Sequence, residues 1–129
     1  MSEITVGIPT FNAMKYLPYI LEKLQHQKIP NLPVIIQDQG SVDGIHGYLS
    51  NISVTNWFSK KSQELNSLII GFVAGRQDPK LHPYVNAMRA RKSIAKSVKT
   101  EFVFFLDPDV ALAPFTLKNM LEASLIINI

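Results

Sequence analysis

Phe102-Val103-Phe104-Phe105-Leu106 runs without a polar residue straight into Asp107-Pro108-Asp109. A short apolar run of this kind reads as a strand covered on both faces. Pro108 forbids helix continuation and holds Asp107 extended. Two carboxylates one residue apart in an extended segment project to the same side. At the end of a core strand they repel unless a cation lies between them. Oxygen-only ligation of this kind suits Mg²⁺ or Mn²⁺ shared with substrate phosphates. The same residues also read as a strand end turning into solvent, with an Asp capping a helix that starts near Pro114.

Upstream, the pattern recurs. Ile4 to Ile8 is a short, β-branched run that Pro9 is expected to end, followed by a turn at Pro9-Thr10-Phe11-Asn12. Tyr16, Leu17, Ile20, Leu21 and Leu24 have helical spacing and predict a helix from Leu17 to Gln27, with Pro18 tolerated in its first turn. Pro30 to Pro33 is a connector, Val34-Ile35-Ile36 a second strand, and Gln37 to Ser41 the loop that leaves it. Asp43 or Ser41 caps a short helix from Ile45 to Leu49. Trp57, Phe58 and Leu65 place a small helix between residues 50 and 66. Leu68 to Val73 is a third strand, Gly75 to Pro83 a polar loop, Tyr84 to Val98 a helix and Pro114 to Ser124 another. Leu125 to Ile129 is read as the start of a further strand. Strands alternate with helices and are uninterrupted apolar runs. That predicts an α/β fold: a mostly parallel sheet with helices on both faces. A length of 129 residues predicts one domain spanning 1–129.

In such a sheet, ligands bind beyond the carboxyl ends of the strands. The loops Pro9–Asn12, Asp38–Asp43 and Asp107–Asp109 all lie there and carry most of the unusual polar residues. Asp38 follows an apolar strand, beside a Gly40-Ser41 turn where backbone can approach a ligand closely. Its carboxylate is suited to accept from a base N–H or a ribose hydroxyl; turn chemistry alone also explains it. On the helix from Tyr84 to Val98, Ala87, Ile94, Ala95 and Val98 share a face with Arg91. An arginine on an apolar face needs an anionic partner, either a ligand phosphate or a structural carboxylate. Arg89, Lys92, Lys96 and Lys99 form a separate, solvated basic face.

Composition narrows the classes. Hydrophobic residues at 47% and charged residues at 18% are those of an ordinary globular domain. The absence of cysteine excludes disulfides, thiolate zinc sites and thiol nucleophiles. A net charge of +3 permits an anionic ligand without requiring nucleic acid, and none is expected as a partner. No apolar stretch is long enough for a transmembrane segment, the N-terminus lacks a signal-peptide shape, and a cytoplasmic protein is expected.

These residues resemble a family. Ile4 to Asn12 looks like the opening strand and Pro-Thr-Tyr/Phe-Asn turn of family 2 glycosyltransferases, and Val34 to Gly44 is similar to their V-V-D-D-G-S-x-D-G segment. Ala90-Arg91 and Glu101 to Asp109 resemble their Ala-Arg-Asn and Glu-Tyr-Ile-x-Phe-Leu-Asp-x-Asp segments at the usual spacing. The resemblance covers about residues 4 to 115. It implies a GT-A, Rossmann-like fold and a nucleoside-diphosphate sugar donor, with a UDP-sugar favoured and the acceptor unknown. It places Pro9, Thr10, Phe11, Asn12, Asp38, Gln39, Gly40, Ser41, Arg91 and Asp107 at the nucleotide. Asp107 and Asp109 become a D-x-D motif holding Mn²⁺ or Mg²⁺ against the diphosphate. Gln39 stands where many members have a second Asp, and Lys92 where Asn is usual. Members of the family continue with an acceptor-binding half. Here the only carboxylate after Asp109 is Glu122, inside a helix, so the catalytic base is expected to lie outside the chain and the fold to be incomplete at its C-terminus. A nucleotide-sugar-binding module without catalysis is the alternative. A nucleotidyltransferase is a weaker one, because Pro9 to Lys15 lacks the Gly-rich basic loop such an enzyme needs.

Overall fold

Apolar runs become strands and 3.6-spaced leucines become helices in the computed structural model, which describes residues 3–55 and 68–127. Strands β1 (Ile4–Thr10), β2 (Leu32–Asp38), β3 (Leu68–Ala74) and β4 (Phe102–Phe105) alternate with helices α1 (Leu17–Gln25), α2 (Ile45–Thr55), α3 (Pro83–Ser97) and α4 (Thr116–Ile127). The sheet is four-stranded, in the order β3-β2-β1-β4, and every pair is parallel. The expected fold class is the observed one.

Strand order dictates where the helices go. The crossovers through α1 and α2 both step toward β3, so a constant right-handed sense puts these helices on one face. The crossover through α3 steps back past β1 to β4, and the same handedness puts α3 on the other face. The side chains agree. Val6, Ile8, Val34 and Ile36 pack with Leu17, Leu21 and Leu24 of α1, Ile45 of α2 and Leu117 of α4 in one buried cluster. Each such Leu or Ile contributes roughly 1.5–3 kcal/mol by leaving water. On the opposite face, α3 buries Asn86, Ala90 and Ile94. Gly7 makes that contact possible: a Cβ there would lie 2.6 Å from Ile94 Cγ2 and 3.3 Å from Phe105 Cδ1.

Several local expectations are corrected. Pro9 does not end β1; it lies inside it, paired with Gln37. The Leu106 N–H donates to Gly7 O, so Gly7, and Pro9 two residues on, face the β4 side. With Leu106 bonded to Gly7, the next bond of this ladder would run from a residue-9 N–H to Leu106 O; proline cannot donate it, and the β1–β4 register finishes at Gly7 opposite Phe105. Pro33 is likewise inside β2, just before pairing with β1 starts at Val6 and Val34. Helix α1 stops at Gln25, not Gln27. Gln27 is fully buried and caps α4 from a distance: its Oε1 accepts from Leu117 N–H at 3.1 Å and its Nε2 donates to Ala113 O at 2.9 Å. Helix α2 runs on to Thr55. Residues 125–127 continue α4 instead of starting a strand. Ala95 is exposed, because the buried face of α3 is centred on Ala90 and Ile94. Trp57, Phe58 and Leu65 lie outside the described residues.

The Gly7–Ile94 contact sets a test. Gly7→Ala forces its methyl into a β-branched side chain pinned on a helix, and is expected to lower unfolding stability by about 1–3 kcal/mol. Urea denaturation measures it; an unchanged midpoint would mean that α3 shifts freely on the sheet.

Candidate functional site

β1 and β2 end in register, with Thr10 opposite Asp38. Asp38 is fully buried, and its carboxylate is filled from within the protein. Oδ1 accepts from the Thr10 hydroxyl at 2.7 Å and the Ser41 hydroxyl at 2.5 Å. Oδ2 accepts from Ser41 N–H at 3.0 Å and lies 3.0 Å from His46 Nε2 on α2. Burial by itself raises the pKa of such a carboxyl, but the bonds from Ser41, Thr10 and His46 outweigh it and hold Asp38 below its ordinary 3.8. A carboxylate expected to receive a base or ribose is thus already bonded to β1, its own loop and α2.

The loops after β1 and β2 are laced to each other. Asn12 N–H donates to Ser41 Oγ at 2.7 Å, and Val42 N–H donates to Asn12 Oδ1 at 3.0 Å. Met14 N–H donates to Asp43 Oδ2 at 2.9 Å. Ser41 and Asp43, expected as caps of α2, are therefore committed across the loop. Asn12 sits at φ 52° and Gly40 at φ 87°, in the left-handed region that Gly and Asn tolerate best.

The sheet changes direction between β1 and β4, which leaves a crevice at their carboxyl ends. A cleft of about 230 Å³ occupies it. Of the residues that the resemblance places at the nucleotide, Pro9, Thr10, Phe11, Gln39, Arg91 and Asp107 line this cleft. Asn12, Asp38, Gly40 and Ser41 are not in its lining and shape the loops behind it; Asp109, expected with Asp107 at a metal, is not in its lining either. Gln77, Pro83, Asn86, Ala87, Ala90 and Pro108 complete the wall and were not expected. The small residues of α3 between Asn86 and Ala90 were the available signal. Asn86 itself is buried and ties the loop before α3, accepting from Asp78 N–H at 2.8 Å and donating to Asp78 O at 3.0 Å.

Asp107 follows Leu106 directly, but the acidic pair is not extended. Val110 N–H donates to Asp107 O at 3.1 Å, closing a turn with Pro108 and Asp109 at its corners. The two carboxylates therefore belong to a turn and are not related by strand alternation. Asp107 Oδ1 lies 3.2 Å from an Arg91 terminal nitrogen, with the two side chains 56% and 40% exposed. A pair this wet contributes at most about 1 kcal/mol. The Arg91 Nε is buried without a hydrogen-bond partner. Among the described residues no cluster of three or more His, Cys, Asp or Glu could enclose a metal. The donor chemistry of Asp107 and Asp109 fits a hard cation only where phosphate and water supply the remaining ligands, the usual manner of Mg²⁺.

No protein-family model matches the chain, and no curated protein matches it in sequence. Solved structures do. The chain is similar to S. aureus TarS 1-349 at 23% identity and a TM-score of 0.65, over 94% of this chain and 32% of that one. It is equally similar to TarS 1-349 in complex with UDP, at 23% identity and a TM-score of 0.65 over 94% and 31% of the two chains. For the complex with UDP-GlcNAc the figures are 23%, 0.64, 94% and 30%. The chain spans about a third of the length of these structures. TarS is a glycosyltransferase, and the likeness shows that this chain has a GT-A-like α/β fold. Among the described residues no helix is long and apolar enough to cross a membrane.

The buried carboxylate gives an acid-stability test. Because its folded pKa lies below 3.8, Asp38 stabilises the fold at pH above that value, and the contribution disappears as pH falls through the lower, folded value. Asp38→Asn turns an amide N–H₂ toward donors and is expected to cost about 1–3 kcal/mol at neutral pH. The variant should also lose part of the wild-type dependence of stability on pH in this acid range. Urea melts from pH 7 down to pH 2 check both; identical acid limbs would show that Asp38 is not linked to folding.

Proposed function

We propose that this chain is the donor-binding part of a glycosyltransferase of the family 2 kind, holding a nucleoside-diphosphate sugar, with a UDP-sugar favoured, in the cleft between β1 and β4. One observation carries the reading. Arg91 from α3 and Asp107 just past β4 meet 3.2 Å apart in a cleft whose other wall is Pro9 and Thr10 at the end of β1 with Phe11 beyond it. A cation-binding carboxylate and an anion-binding guanidinium thus sit together at the place where this type of sheet receives ligands. The likeness to a glycosyltransferase solved with UDP and with UDP-GlcNAc supports the same ligand class.

In this reading Thr10 and Phe11 lie against the nucleoside, and half-exposed Phe11 offers a ring face to the base. Asp38 serves the nucleoside indirectly, by fixing Thr10 and the Ser41 loop. Asp107 and Asp109 hold Mn²⁺ or Mg²⁺, which when bound neutralises the diphosphate as leaving group. Arg91 then exchanges its weak, wet pair with Asp107 for phosphate oxygens.

The cleft offers no second carboxylate to act as base. Among the described residues lining it Asp107 is the only acid, and Glu122 is exposed on α4. A positioned base contributes roughly 10²–10⁴-fold. Residues 1–129 are therefore proposed to bind donor and to transfer sugar no faster than they hydrolyse it. This observation also keeps the non-catalytic binding module as a second reading.

Calorimetry with UDP tests the binding. With Mn²⁺ present, UDP is expected to bind at least about tenfold more tightly than after chelation, since an ion held by Asp107 and Asp109 would supply positive charge to the diphosphate. Mn²⁺ without nucleotide should bind weakly, because two carboxylates alone make a poor site. Asp107→Asn and Asp109→Asn should each remove the metal dependence. Equal affinity after chelation would take the metal out of the reading, and no UDP binding in either condition would take out the donor. A radiolabelled donor then separates hydrolysis from transfer: transfer outrunning hydrolysis in this chain would place a base within it.

A further inference from the structure

β3 forms one edge of the sheet, and among the described residues no strand pairs with its outer side. Its sequence, Leu68-Ile69-Ile70-Gly71-Phe72-Val73-Ala74, has neither a charge nor a proline. Natural edges are usually guarded by such residues, because free N–H and C=O groups template another strand. The register with β2 puts Leu68, Ile70, Phe72 and Ala74 on the face of α1 and α2, and Ile69, Gly71 and Val73 on the face of α3. Helix α3 packs over β1 and β2, and Ile69 and Val73 stay 58% and 41% exposed. Gly71, between them, is not demanded by its own chain: a Cβ there would meet nothing nearer than Val34 O at 3.9 Å. A glycine inside a strand often marks the close approach of another backbone. The phase of the free edge follows from one bond. Gly75 N–H donates to Asp38 O, so Val73, Gly71 and Ile69 also turn their backbone groups toward β2. Leu68, Ile70, Phe72 and Ala74 turn theirs outward.

We propose that β3 pairs with β3 of a second copy of this chain, antiparallel about a two-fold axis at Gly71, joining two four-stranded sheets into one. The strand is complementary to itself in that register. Ile70 meets the partner's Phe72 and Leu68 meets the partner's Ala74. These are the residues with outward backbone groups, so each pair exchanges two hydrogen bonds, and Ile70 with Phe72 is a β-branched–aromatic pair of the stabilising kind. Ile69 meets the partner's Val73 at a non-hydrogen-bonded position, where opposed side chains come closest. Gly71 meets its own copy on the axis. No like charges are opposed along the pair, and the apolar groups that one chain leaves in water are covered on both. Any other two-fold register leaves part of the strand unpaired. The contact is isologous and closes at two copies. It does not rest on the donor-binding reading.

The experiment uses the whole chain. Sedimentation velocity from about 1 to about 200 µM is expected to show a reversible monomer–dimer equilibrium, since a pair of short strands buries about 1,000 Å², the low end for a specific interface. Ile69→Lys and Val73→Glu each place a guarding charge on the exposed edge. Each should weaken the dimer at least about tenfold while melting temperature and far-UV spectrum stay unchanged. Mixing then reads the register. Ile69→Lys with Val73→Glu sets opposite charges face to face and should restore a heterodimer. Ile69→Lys with Ile69→Glu carries the same charges but sets each against a valine, and should not. A monomer at every concentration overturns the proposal. So does a dimer that both single variants leave intact, which puts the interface elsewhere. Equal recovery by the two mixtures overturns it as well, because the pairing then lacks this register.

Discussion

A carboxylate without access to water ties the functional end of this sheet together. Asp38 receives Thr10 from β1, Ser41 from its own loop and His46 from α2. A buried charge is tolerated only when its lone pairs are filled, and here they are filled by three separate elements. The result is that the turn after β1 and the loop after β2 behave as one body, with Asn12 and Ser41 stitched between them. The cleft is built against this body, so its back wall is positioned before any ligand arrives.

The opposite wall is of another character. Arg91 and Asp107 are long or exposed groups with a weak mutual attraction, and Arg91 keeps a buried nitrogen unpaired. A rigid, internally satisfied wall thus faces an adjustable one whose bonds are easily exchanged. That division suits a ligand with a flat nucleoside at one end and a flexible, charged diphosphate at the other.

Much of this was legible in the sequence because it depends on local composition. Val34-Ile35-Ile36 and Phe102 to Leu106 are buried strands by pattern alone, and the Leu17–Leu24 spacing admits little but a helix. Alternation of the two predicts parallel pairing, and parallel pairing predicts which loops share an end. What escaped prediction depends on partners distant in the chain. Pro9 stays in β1 because Ile8 and Thr10 on either side keep the strand paired with β2, and its missing N–H interrupts only the ladder to β4. Gln27 reads as the tail of α1 until Leu117 arrives next to it. Asp107-Pro108-Asp109 bends because Val110 folds back on Asp107, and no periodicity reports that. Asp38 carries a buried clamp where turn composition suggested an open acceptor. Gln37 reads as the polar end of a strand, and only the Ser93 hydroxyl of α3, donating to its Oε1 at 3.2 Å, gives its amide a direction.

The proline in β1 has a consequence for hydration. At the floor of the cleft the backbone on the β4 side of Pro9 carries a ring where any other residue would carry an N–H. Leu106 N–H already donates to Gly7 O, so such a hydrogen would have continued the ladder to Leu106 O, which the ring leaves without that donor. At this level the floor therefore offers water backbone acceptors and no backbone donor. A ligand settling there replaces such a water best with a group that donates a hydrogen bond.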